Sequence, residues 1–205
     1  MEWSRALLDE VALAGQEHLD PAYVAAYGRK AALDPSDDLV LLHELGLGEQ
    51  STLVDLGAGT GTFALAAGAH CRRVVAVDAS AEMVATMREG ADRLGVTNVE
   101  CVEAGFLGYE HVGTPADFVY SRNALHHLPD FWKAVALERI GQILRPGGVL
   151  RLRDLVFAFD PSEAERFIGP GSTAAPTIPR TASREPTSRR ICATSSARST
   201  GCSSR

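Results

Sequence analysis

The chain has 205 residues, 45% hydrophobic and 22% charged, with a formal net charge of −6, which suits one globular domain with a real core and leaves too little for two. No apolar run approaches the roughly 18 residues of a membrane span, the four cysteines lack metal-type or disulfide-framework spacing, and the acidic balance argues against nucleic acid as a bulk electrostatic partner. The N-terminus MEWSRALLDEVALAGQEHLD is acidic and has no basic n-region or cleavage site, so the expected location is the reduced cytoplasm, away from membranes.

The first fifty residues read as helices. Trp3, Leu7, Leu8 and Val11 recur at helical spacing. Pro21 opens a second helix behind Asp20 as cap, running through Tyr23, Val24 and Tyr27. A third starts at Pro35-Ser36 and carries Leu39, Leu42 and Leu45 to a stop at Gly46. Short strand-type runs then alternate with helices. STLVDLG is a strand, GTFALAAGAH a short helix and RRVVAVD a second, valine-rich strand. SAEMVATMREGADRL is an amphipathic helix with Val84, Met87, Ala91 and Leu94 on one side, capped by Ser80 and ended by Gly95. NVECVEA and ADFVYSR are the third and fourth strands. FWKAVALERIGQIL is a helix with Trp132, Val135, Ile140 and Ile143 inward, stopped by Pro146-Gly147-Gly148, and GVLRLRDLVF is a fifth strand. This alternation implies an α/β fold, a mostly parallel, doubly wound sheet with helices on both faces.

In such a sheet ligands bind outside the carboxyl ends of the strands, where the strand order reverses. The segment TLVDLGAGTGTF sits after the first strand, with Gly57, Gly59 and Gly61 at alternate positions and Asp55 just before them. Bare backbone lets a ligand lie against the main chain. A dinucleotide loop wants G-x-G-x-x-G, yet the third-glycine position is Thr62. An acid at Asp55 repels a pyrophosphate and attracts an ammonium group. The pattern favours an amino-acid-bearing nucleoside. The second strand ends in Asp78, twenty-one residues after Gly57, where a carboxylate can accept both ribose hydroxyls.

VDLGAGTG resembles motif I of the class I S-adenosylmethionine-dependent methyltransferases, and Asp78, HHL and LRPGG follow in the family's order. The resemblance covers about residues 50–160. It implies a Rossmann-like fold, S-adenosylmethionine as cofactor and methyl transfer to a small-molecule acceptor. By match, Asp55, Gly57, Ala58, Gly59 and Gly61 form the cofactor loop, Asp78 holds the ribose, and Ala79, Ser80 and Met83 line one face of the adenine. The family often places an Asp after the third strand to take the adenine amino group. Here Ala104, Gly105 and Phe106 occupy that region, so Gly105 backbone and Phe106 packing are the expected contacts. Asn123 falls where the methyl-donor pocket meets the acceptor.

Some acceptors must lose a proton, and His126 or His127 is the candidate base; helix capping or a backbone hydrogen bond explains either one as well. Asp154, near the carboxyl end of the fifth strand, stands on the acceptor side. Arg151 and Arg153 read as one solvated strand face, and Cys71 and Cys101 as buried small hydrophobes. Tyr23 and Tyr27 are either lid contacts or helix packing.

Residues 1–48 are thus expected as a helical lid and 49–168 as the cofactor domain. The family fold ends with two more strands, the last antiparallel. Residues 169–205, with fourteen Ser or Thr and no Lys, lack the apolar pattern to supply them. Six arginines against one acid, Glu185, make residues 171–205 basic while the rest is acidic. This tail is expected to be disordered and is read as an out-of-frame translation of a GC-rich gene, with a natural basic extension as the alternative. Two other functional readings stay open: a remnant that only binds the cofactor, and a nicotinamide-nucleotide oxidoreductase.

Overall fold

The computed structural model describes residues 8–15, 20, 22–24, 34–155, 160, 162, 165–166 and 190–195. Helical segments precede the sheet. α1 spans Glu10–Ala14 and starts where the Asp9 carboxylate accepts the Val11 and Ala12 N–H groups. α2 spans Ser36–Glu44 and buries Leu39 and Leu42. Between them Asp20 accepts the Ala22 N–H at 2.8 Å, the cap expected there, and Val24 is buried. Tyr27 lies outside the described residues.

Strands and helices then alternate as expected. β1 is Thr52–Leu56, α3 Thr62–Ala67, β2 Arg73–Asp78, α4 Ala81–Leu94, β3 Val99–Glu103, β4 Ala116–Arg122, α5 Asp130–Ile143 and β5 Leu144–Asp154. A single 3₁₀ turn, Leu125–His127, joins β4 to α5. With Arg190–Ser195 as β6, all pairings are parallel, in the order β3-β2-β1-β4-β5-β6. The chain reverses direction of travel across the sheet between β1 and β4, which opens a crevice at their carboxyl ends. Side chains alternate across the pleat. Leu53, Val74, Ala76 and Phe118 pack under α2, α3 and α4 on one face. Val54, Val75, Val77 and Val119 pack with α5 on the other. Among the described residues no helix is long and apolar enough to cross a membrane.

Several expectations need correction. Leu94 is 63% exposed rather than inward; it stands past Ala91, the last buried residue of α4, next to the left-handed Gly95 that ends the helix. Pro146-Gly147-Gly148 does not separate α5 from a later strand. Strand pairing begins at once, with Leu144 opposite Ala116, and the Pro-Gly-Gly segment forms an irregularity before Val149 resumes opposite Phe118. Arg151 is buried, not solvated, because Asp38 of α2 neutralises it. Cys71 is buried and Cys101 only half-buried.

The tail also differs. Arg190–Ser195 forms β6, parallel to β5 from Val149↔Arg190 to Asp154↔Ser195, where no strand was expected. The outer edge of β5 presents a row of N–H and C=O groups that favours any extendable partner, and RICATS holds the β-prone Ile191 and Thr194 in an otherwise Ser- and Arg-rich stretch. No antiparallel strand completes the sheet among the described residues. Residues 169–189 and 196–205 of the expected disordered tail lie outside them.

Candidate active site

The crevice between the β1 and β4 ends holds a cavity of about 360 Å³. Asp55, Gly57, Ala58, Gly59, Asp78, Ala79, Met83, Gly105, Phe106, Asn123, His126 and His127 all line it. Gly61 does not. It takes φ +82° as the residue before α3, and a Cβ there would stand 2.6 Å from Met87 Cγ. It is the packing glycine that lets α4 approach the loop. Tyr23 is 38% exposed and does not line the cavity.

The glycine loop is hitched to β2. The N–H groups of Gly57 and Ala58 both donate to the Val77 carbonyl, at 2.9 and 3.0 Å. Gly57 and Gly59 have positive φ, and a Cβ on Gly57 would overlap Ala124. At Gly59 that space is open, so a ligand can lie against the main chain. Asp78 fixes the loop from the other side: its carboxylate accepts the Gly59 N–H at 2.8 Å and the Ser80 N–H at 2.9 Å. Met83 is buried at the start of α4. Phe106 faces the cavity from beyond β3.

Asp55 is almost wholly buried at the end of β1. Burial pushes its carboxyl well above the usual range, and the nearby Asp78 and Asp38 charges push it further. The register puts Asp55 beside Tyr120 of β4, and Tyr120 beside Arg151 of β5. Asp38 of α2 lies over this row. It accepts the Tyr120 hydroxyl at 2.8 Å, the Arg122 guanidinium at 3.3 Å and Arg151 through Nε and Nη2 at 3.0 and 2.6 Å. Burial and the Asp38 charge raise the Tyr120 phenol, so it stays a donor. Arg122 also lines the cavity.

At the far end, His126 and Asp154 form a pair. Asp154 Oδ2 accepts the His126 backbone N–H at 2.8 Å, and Oδ1 lies 2.6 Å from His126 Nδ1. An ionised carboxylate only accepts, so in the neutral ring Nδ1 carries the proton and Nε2 keeps the lone pair. The His127 ring lies 4.2 Å from that of His126. Asn123 holds φ +53°, and its N–H donates to the Arg153 carbonyl at 2.8 Å; this left-handed corner turns the chain from β4 into the histidine turn.

Sequence reasoning did not find Glu10, Asp38, Tyr120 or Arg122. They reach the site from distant segments, and no local spacing marks them. Asp154 was visible as a strand-end acid, and its bond to His126 was not.

The comparisons agree with this geometry. Residues 53–148 match the family model described as a methyltransferase domain. A trans-aconitate 2-methyltransferase of Azoarcus sp. (strain BH72) is 34% identical over 115 residues, covering 55% of this chain and 42% of that protein. An uncharacterized methyltransferase, YcgJ, of Bacillus subtilis (strain 168) is 31% identical over 109 residues, covering 53% and 42%. The chain thus spans less than half the length of these curated relatives. The crystal structure of a SAM-dependent methyltransferase from Aquifex aeolicus is 26% identical, with TM-score 0.51 over 64% of this chain and 70% of that one. With the shared sheet, glycine loop and strand-end acid, residues 53–148 of this chain are similar to S-adenosylmethionine-dependent methyltransferases.

Proposed function

We propose that this chain binds S-adenosylmethionine in the cavity and transfers its methyl group to a small-molecule acceptor bearing a removable proton. The observation that carries the reading is that one cavity joins the acids and bare backbone of the nucleoside end to the His126–Asp154 pair. The residues fit the cofactor. Asp55 suits an ammonium group, since a buried carboxyl with a raised proton affinity is one that a cation would return to its charged form. Asp78 lines the cavity at the end of β2, where a carboxylate can accept ribose hydroxyls, and Met83 and Phe106 offer apolar surface to a base. Asp55 repels a diphosphate and Thr62 stands where a dinucleotide loop needs its third glycine, which together disfavour a nicotinamide dinucleotide.

When bound, S-adenosylmethionine supplies a methyl group activated on a positively charged sulfur. The chain's own work is positioning, water exclusion and proton removal. Asp55, with the Gly57–Gly59 backbone, holds the amino-acid arm. Asn123 and Ala124 form the wall between donor and acceptor. His126 Nε2 accepts the proton of the acceptor, and Asp154 fixes the ring orientation and stabilises the resulting imidazolium. The similarity to a trans-aconitate 2-methyltransferase supports a small-molecule acceptor.

The test is a calorimetric titration of the full chain with S-adenosylhomocysteine, with NAD as control. Binding in the micromolar range is expected for the first and none for the second. Asp78→Ala should weaken binding about tenfold or more, as expected when charge-assisted hydrogen bonds are lost. A folded chain that ignores S-adenosylhomocysteine, or prefers NAD, overturns the reading.

A further inference from the structure

The loop after β3 has no acid facing the cavity, and α1 brings one in. Glu10, the first residue of α1, lines the cavity. Its carboxyl occupies the space in front of Gly105, where a Cβ would overlap the carboxyl carbon and both oxygens. Gly105 is not in the left-handed region, so its backbone does not require glycine. The space for Glu10 does. One carboxylate oxygen accepts the Leu107 N–H at 3.0 Å, and the N–H groups of Phe106 and Gly108 also face the carboxyl. Burial raises Glu10 from its usual range, and these three donors together with Arg139 act against that. An ionised carboxylate has about four acceptor positions. Three backbone donors therefore leave capacity on the side that faces the cavity.

The position of this carboxyl says what it meets. The Ala104 N–H donates to the Asp78 carbonyl at 2.9 Å, so the Ala104–Phe106 turn stands directly beyond Asp78, one strand further out. A nucleoside whose ribose is held at Asp78 extends its base into this turn. An adenine edge presents an amino donor; a hypoxanthine edge presents a carbonyl acceptor there, which a carboxylate repels. Resting on the cofactor reading above, we infer that Glu10 is a specificity-determining residue, accepting a hydrogen bond from the 6-amino group of the purine and rejecting 6-oxo purines. The N-terminal helix thereby supplies an acid that the β3 loop lacks, and seating the base and seating α1 become one event.

The experiment compares S-adenosylhomocysteine with S-inosylhomocysteine by calorimetry on the full chain. The wild type should prefer the adenosine form by about ten- to a hundredfold, the range for a hydrogen bond to a charged group. Glu10→Ala should bring the two ligands near parity, mainly by weakening the adenosine form. Adding Gly105→Asp to Glu10→Ala should restore the preference, because the new side chain enters the volume that Glu10 fills. Should Glu10→Ala fail to fold, Gly105→Ala reads the same ratio by displacing the carboxyl while keeping Glu10. An unchanged preference in Glu10→Ala, with wild-type binding of S-adenosylhomocysteine intact, overturns the inference and leaves Glu10 a tie between α1 and the loop. A wild type that binds neither ligand overturns the cofactor reading beneath it.

Discussion

Asp55 is a residue whose place in the fold works against the free protein. Its carboxyl is raised above the ordinary value of 3.8 by burial and by two neighbouring acids. The folded state therefore holds a proton on Asp55 that the unfolded chain releases. Stability falls as pH rises from about 4 through the raised folded value, and the penalty is fully present only above that value. Asp55→Asn removes the penalty. The variant should melt higher than the wild type near neutral pH, by roughly 2–4 °C for each kcal/mol relieved, and the gap should close as pH falls toward 4. The same change should weaken S-adenosylhomocysteine, since an amide cannot pair with an ammonium group. Melting curves across pH and calorimetry at pH 7 check both halves; a variant that melts no higher refutes the buried-charge account. His126 makes the opposite kind of prediction, with binding kept and chemistry lost. His126→Ala should lower kcat by about 10²–10⁴-fold, the usual contribution of a positioned base, and leave the affinity for S-adenosylhomocysteine unchanged. Asp154→Asn should lower kcat less, since the amide still accepts a hydrogen bond from Nδ1 but no longer stabilises the imidazolium. Single-turnover rates beside binding constants separate the two effects, and an affinity that falls with the rate assigns His126 to the cofactor site.

At the scale of elements, what was legible is what local chemistry encodes. β1 and β2 are short apolar runs with an acid at or beside the last position, α4 carries its Ser80 cap and its Gly95 stop, and each appears where its residues dictate. The glycine loop was legible for the same reason, although Gly61 proved to serve helix packing against Met87 rather than the cavity. Spacing alone does not distinguish a glycine that admits a ligand from one that admits a neighbouring helix. The junction of α5 and β5 was misread because Pro-Gly-Gly ends helices in isolation, whereas here the neighbouring β4 pairs with the chain from Leu144 onward. Arg151 was misread because strand alternation is silent about what lies above the sheet. β6 was invisible because its two β-prone residues sit in a Ser- and Arg-rich stretch and its partner, the edge of β5, is met only in the folded chain. Glu10 and Arg122 were missed at the site for a related reason: their relevance comes from segments that meet only in the folded chain.

The molecule as a whole is tied together at Asp38. Its carboxylate joins α2 to β4 through Tyr120 and Arg122 and to β5 through Arg151, 113 residues away in sequence. The group is buried, with Asp38 only 1% exposed. Tyr120 and Arg122 also line the cavity, so the N-terminal segment, the sheet and the site share one polar cluster. A buried pair of this kind adds little over a well-packed apolar replacement, yet removing one member is expensive because the remaining charges lose their compensation. Asp38→Ala should therefore cost about 3–5 kcal/mol, a large share of the roughly 5–15 kcal/mol that holds a typical domain together. The melting temperature should fall by about 2–4 °C for each kcal/mol lost. Because two cavity residues lose the same acceptor, S-adenosylhomocysteine should stabilise the variant less than it stabilises the wild type at equal ligand concentration. The control is Leu42→Ala, which empties a fully buried position on the same helix and costs a similar 2–5 kcal/mol without touching the cluster. If Asp38→Ala and Leu42→Ala lose stability equally and both keep the full ligand-induced shift, Asp38 only fastens α2. A shift reduced in Asp38→Ala alone shows that this carboxylate holds the fold and the cofactor wall through the same set of hydrogen bonds.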